Sequence, residues 1–175
     1  MQVRRMMLVV GVLLSCVISA RAEQVANPQF DHWTKFGEGS SATVTTTIDA
    51  GGQKMSSEST NKLTAKAEDN LTVEISGSME VAGQKHTIPT QTQKVTKMVE
   101  KADAPQQVTE KTEKVEAAGK TFECKVYELT KALPNGQTIK AKTWMSTDVP
   151  GGVVKMEAKS ETGNFTAVLK SFETK

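Results

Sequence analysis

The sequence predicts a mainly β fold: an antiparallel meander of about nine long strands, curved into a half-barrel or open sheet, with a short N-terminal helix. Three observations carry this. One turn pattern recurs at Ala50-Gly51-Gly52-Gln53-Lys54, Val81-Ala82-Gly83-Gln84-Lys85, Ala117-Ala118-Gly119-Lys120-Thr121 and Pro134-Asn135-Gly136-Gln137-Thr138. Tight hairpins need positive φ at the bend, which Gly or Asn-Gly supplies at low cost. Between the turns, apolar residues alternate with polar ones, the period of a half-buried strand. One stretch has the period of a helix instead: Phe30, Trp33 and Phe36 recur every third residue, as on one side of a helix.

The chain begins with a basic pair, Arg4 and Arg5, and an apolar run over residues 6–14 that continues through Val17 and Ile18. Ala20-Arg21-Ala22 follows. This is the layout of a secretory signal peptide, and the run is too short for a spanning helix. We therefore divide the chain into a signal peptide (1–22), an N-terminal segment with the helix (23–40) and a single β domain (41–175). A rival reading is Leu13-Leu14-Ser15-Cys16, which resembles a bacterial lipobox and would place a lipid anchor at Cys16; the A-x-A pattern favours cleavage after Ala22. No later apolar run is long enough for a transmembrane helix. The expected location is exported, periplasmic or extracellular, or membrane-anchored as a lipoprotein.

Cleavage after Ala22 removes three arginines and no acid, so the formal charge of +2 becomes −1. The basicity belongs to the leader and gives no footprint for nucleic acid. The mature chain keeps one cysteine, Cys124, so export supplies no internal disulfide. Cys124 lies on the apolar side of an alternating run, where a thiol acts as a small hydrophobe.

The mature domain opens with the helix. Asn27 suits the N-cap and Pro28 the first turn; Gly37 is placed to end it, the aromatic stripe packs on the sheet, and His32 is read as exposed. Strands follow. Val44, Thr46 and Ile48 share a side, as do Leu71, Val73, Ile75, Met79 and Val81. Phe122, Cys124 and Val126 alternate with Glu123, Lys125 and Tyr127. Ile139, Ala141, Thr143 and Met145, then Val154, Met156 and Ala158, then Phe165, Ala167 and Leu169 repeat the pattern. One side is apolar and the other rich in Lys and Glu, as in a sheet with one solvated face.

Turns near Gly51, Asp69-Asn70, Gly83, Gly119, Gly136, Pro150-Gly151 and Gly163 divide the chain at intervals of 12 to 18 residues, except for 36 between Gly83 and Gly119. That interval predicts one more turn, at Lys101-Ala102-Asp103-Ala104-Pro105. Segment 87–114 carries Pro89 and few apolar residues, and reads as an edge strand followed by a loop.

Chemistry is scarce. The two histidines, His32 and His86, have no partners at metal-site spacing. Nucleophile-elbow, phosphate-loop and dinucleotide motifs do not occur. The sequence thus implies no cofactor, no metal and no enzyme. A membrane barrel is opposed by charged second faces and by one Tyr and two Trp, too few for aromatic girdles.

Thr143-Trp144-Met145-Ser146-Thr147-Asp148-Val149-Pro150-Gly151-Gly152-Val153-Val154-Lys155 resembles the closing hairpin of small exported bacterial proteins of unknown function. Pro150 and Gly151 suit the second and third positions of a type II turn. Gly119-Lys120-Thr121-Phe122-Glu123-Cys124 fits the same group. Some of these proteins are similar in fold to periplasmic lipoprotein carriers, and the resemblance implies a curved sheet that holds acyl chains. It transfers no functional residue. The expectation is a non-enzymatic binding module for a lipid or other hydrophobic ligand, lined by Val73, Ile75, Met79, Phe122, Val126, Ile139, Met145, Met156, Phe165 and Leu169. The alternative is an envelope structural or interaction domain whose partner is a protein.

Overall fold

A computed structural model describes residues 23–81, 83–100, 111–132, 138–160 and 163–175. The leader, Cys16, and the turns expected at Gly136 and at 101–105 lie outside these residues. The elements are β1 (Gln24–Ala26), α1 (Pro28–Thr34), β2 (Ser41–Ala50), β3 (Gln53–Lys66), β4 (Asn70–Val81), β5 (Gln84–Thr96), β6 (Met98–Glu100), β7 (Lys111–Ala117), β8 (Lys120–Ala132), β9 (Thr138–Met145), β10 (Val153–Ser160) and β11 (Gly163–Glu173).

Nine of these strands form one open antiparallel sheet in the order β5-β4-β3-β2-β11-β10-β9-β8-β7. The chain meanders outward from β2 to β5, crosses to the opposite edge at β7, and meanders back until β11 pairs with β2. Gly51, Gly52, Gly83 and Gly119 all have positive φ, the conformation that made glycine the turn signal. The crossing was not legible. Of the edge strand, loop and turn expected between Gly83 and Gly119, the edge strand is β5, and the turn at 101–105 lies outside the described residues. β5 ends at Thr96, and after Lys97 the chain leaves this sheet to form β6, which pairs with β1. Both β5 and β7 are sheet edges.

The helix starts as its sequence dictates. Asn27 Oδ1 accepts the Gln29 amide at 3.1 Å, and Pro28 occupies the first turn. Asn27 also anchors the helix to the end of β5: its Nδ2 donates to the Thr96 carbonyl at 2.8 Å and its amide to the Lys97 carbonyl at 2.9 Å. The helix stops at Thr34, short of Gly37, with Lys35 as C-cap. Lys66 Nζ then donates to the Thr34 and Phe36 carbonyls at 2.7 and 2.9 Å, satisfying acceptors that a helix end leaves free and placing a cation at its negative pole.

Two apolar clusters result. Under the helix, Phe30 and Trp33 pack with Leu63, Leu71, Val73 and Val95. In the other, the β7–β8 hairpin turns back onto β10 and β11. It packs Phe122, Cys124 and Val126 with Trp144, Val154 and Leu169, and Phe122 meets Phe172 edge to face at 5.8 Å.

Candidate functional site at the uncovered end of the helix face

Register decides which side chains share a face. On the side that carries α1, Val73 lies across from Leu63, and Leu169 across from Val44. Further along the same strands, Val81, Met55, Ile48, Phe165, Ala158 and Ala141 are direct neighbours in one line across β4, β3, β2, β11, β10 and β9. Directly paired residues have contiguous side chains, so this line is an unbroken apolar row. Every member is only half-buried. The next row, Met79-Ser57-Thr46-Ala167-Met156-Thr143, adds two methionines.

Over the other end of this face lies a cover made of α1 and the turn at 146–152. The turn closes with Gly152 N donating to the Val149 carbonyl at 2.8 Å, Pro150 second and Gly151 third at φ 76°, the positive φ that a type II turn demands at that position. A Cβ on Gly151 would stand 2.8 Å from Trp33 Cζ2, and one on Gly152 only 2.6 Å from His32 Cγ and Nδ1. These two positions must be bare for the helix to seat on the turn.

The cover does not reach the row. There the surface falls into a groove of about 280 Å³ lined by Ile48, Ala50, Ile139, Ala158 and Phe165 together with Lys159, Ser160 and Asn164. Most of the groove's lining surface is apolar.

The ten residues expected to line a site are divided among several environments. Ile139 and Phe165 line the groove. Met156 lies half-buried on the same face one row away, and Met79 is exposed there. Met145 is half-buried, its Cε 3.0 Å from where a Gly152 Cβ would be. Ile75 packs against the helix cluster. Val73, Phe122, Val126 and Leu169 are enclosed in the two cores. Phe122 and Val126 also belong to the opposite face. Thr143 is paired with Tyr127 and Trp144 with Val126, so the even residues of β8 point away from the row. Alternation identifies residues that share a side, not which side it is. Ile48, Met55, Ala158 and Val81 were missed as a row because the signal is cross-strand: each is unremarkable until register lines them up.

The opposite face between β2 and β5 is polar: Thr43, Thr45 and Thr47 pair with Thr60, Glu58 and Ser56, and Thr43 and Thr60 share a hydroxyl hydrogen bond at 2.9 Å. Near β9 it carries an aromatic and charged cluster. Trp144 Nε1 donates to Glu113 Oε2 at 2.7 Å, and Lys142 and Lys155 sit over the indole at 4.6 and 4.9 Å from its centre. The indole hydrogen bond first, then Lys142, hold the Glu113 carboxyl below the usual range. Trp144, Glu113 and Lys142 partner one another and Lys155 pairs with Glu157, as expected of a fixture tying β7 to β9.

Cys124 is fully enclosed; burial, with Asp148 and Glu113 nearby, pushes its thiol up to about 11, far from the thiolate a nucleophile needs. His32 differs from its expected exposure. The ring is half-buried against the turn, and its buried Nδ1 has no hydrogen-bond partner. A type II turn needs one glycine, at 151; the second, Gly152, was the overlooked sign of something packed close. Among the described residues, no group of three or more His, Cys, Asp or Glu is placed to hold a metal ion, and no helix is long and apolar enough to cross a membrane. No protein-family model matches this chain, and no curated protein matches it.

Proposed function

We propose that this chain is an exported, non-enzymatic binding module that holds an extended hydrophobic ligand, such as a single acyl chain, along the row from Val81 to Ala141. The row itself carries the reading: six half-buried apolar residues in continuous register across six strands. At about 4.8 Å between strands the row runs for roughly 24 Å, the scale of a long acyl chain. A core residue is enclosed by neighbours, whereas these have one side free; a ligand lying on them gains about 25 cal/mol for each Å² of apolar surface it removes from water. Adaptable methionines, Met55 in the row and Met79 and Met156 beside it, suit ligands of varied shape. The pattern of residues 1–22 supports export, with retention on a membrane if Cys16 is the lipidated residue.

Native mass spectrometry of the protein purified from its own host tests this. The expected spectrum contains the chain with one bound lipid-sized adduct that is lost on mild activation. A spectrum of bare chain, together with a stoichiometric partner protein, would overturn the reading in favour of an envelope interaction domain. The intact mass separates cleavage after Ala22 from lipidation at Cys16.

A further inference from the structure

The interface between α1 and the 146–152 turn is close-fitting, and among the described residues one of its buried polar atoms has no hydrogen-bond partner. His32 stacks on Gly152 so tightly that a methyl group there would stand 2.6 Å from Nδ1 and Cγ. Nδ1 is buried and unpartnered. A neutral imidazole can leave that nitrogen as a bare lone pair, which is a modest cost. An imidazolium is a donor at both nitrogens, so charging the ring puts an N–H, and part of a positive charge, at a buried position where Nδ1 has no hydrogen-bond partner. The residue it stacks on, Gly152, is uncharged. The charged groups around it are Asp31 and Lys35 on α1 and Lys125 on β8, two cations against one anion. Asp148, the carboxylate of the turn, acts on Cys124.

We propose that His32 is a protonation latch: charging its ring in acid releases α1 from the 146–152 turn and uncovers the apolar surface beneath the helix. The latch is independent of what the open groove holds. Its sign follows from the ring's surroundings. Burial first, then the Lys35 charge, hold the docked ring below the usual 6.5, with Asp31 opposing. The undocked ring therefore binds its proton more readily, so docking is intact above that value and weakens as pH falls below it. Because the free ring takes the proton more readily than the docked one, full protonation raises the open fraction several-fold. Opening α1 exposes Phe30, Trp33, Leu63 and Leu71 together, which makes the event easy to detect.

The test follows the Trp33 indole resonance and amide exchange at Leu63 and Leu71 between about pH 7.5 and 5, in the wild-type chain and in His32→Phe, His32→Asn and His86→Gln. The expected result is a several-fold rise in exchange and a shifted Trp33 signal below pH 6.5 in wild type and His86→Gln. The two His32 variants stay flat, either one sufficing if the other does not fold. Gly152→Ala, which crowds the ring and is strained at φ 80°, opens the helix at neutral pH. A wild type that stays closed across the range, or a His32 variant that keeps the transition, would overturn the latch.

Discussion

The two ends of the helix face begin from the same alternation of apolar and polar residues and finish in different states. At one end Leu63, Leu71, Val73 and Val95 are fully buried because α1 lies on them. At the other, Ile48, Met55, Ala158 and Phe165 sit on the same side of the same sheet and keep surface exposed. Strand composition does not separate the ends. What separates them is a cover brought from two distant parts of the chain, seated only because positions 151 and 152 carry no side chain. Periodicity thus identifies an apolar face, and whether that face becomes core or site depends on what reaches it.

Substitutions in matched pairs sharpen this contrast. Trp33→Ala should cost about 3–5 kcal/mol in urea melts, since it empties the centre of the covered end; Phe165→Ala at the open end should cost about 1 kcal/mol. Leu63→Ala against Met55→Ala repeats the comparison with the helix sequence unchanged, at about 2–5 kcal/mol against less than about 1 kcal/mol. Equal losses at the two ends would show that the open row is as enclosed as the core.

The pH dependence of stability should fall in two steps. His32 sits below its usual 6.5 when docked, so the stability tied to its neutral form is present above that value and fades as pH drops through it. Glu113 is held below its usual 4.5 by the Trp144 indole and then Lys142. Its contribution is present above 4.5 and is lost as pH falls toward its lower folded value. Glu113→Gln should erase the second step alone in acid melts. Smallest of all, Cys124 should resist alkylation in the folded protein at neutral pH and react once urea unfolds it, as expected for an enclosed thiol pushed up to about 11.

Much of the fold was legible because its signals are local. Gly51, Gly83 and Gly119 mark their hairpins, Asn27 and Pro28 open the helix, and Pro150-Gly151 form the turn they suggest. The edge-to-edge crossing was not legible: one residue, Lys97, separates β5 from β6, and no turn signature announces it. The site was half legible. Phe165 and Ile139 fall in the groove, but Phe122 and Val126, which show an equally clean alternation, face the other way because β8 pairs with β9 in the opposite phase. His32 looked solvent-exposed because nothing near it in sequence reveals that Gly152, 120 positions on, would lie against its ring.

The central claim is that the row from Val81 to Ala141 holds an acyl chain. The most direct measurement is a titration with a fluorescent single-chain fatty acid, comparing wild type, Phe165→Asp in the row and Thr47→Asp on the opposite face, each checked for native circular dichroism. The account predicts one saturable site in wild type and Thr47→Asp, weakened at least about tenfold in Phe165→Asp, the effect of about 1.4 kcal/mol. No saturable binding by the wild type, or equal binding by Phe165→Asp, would contradict it.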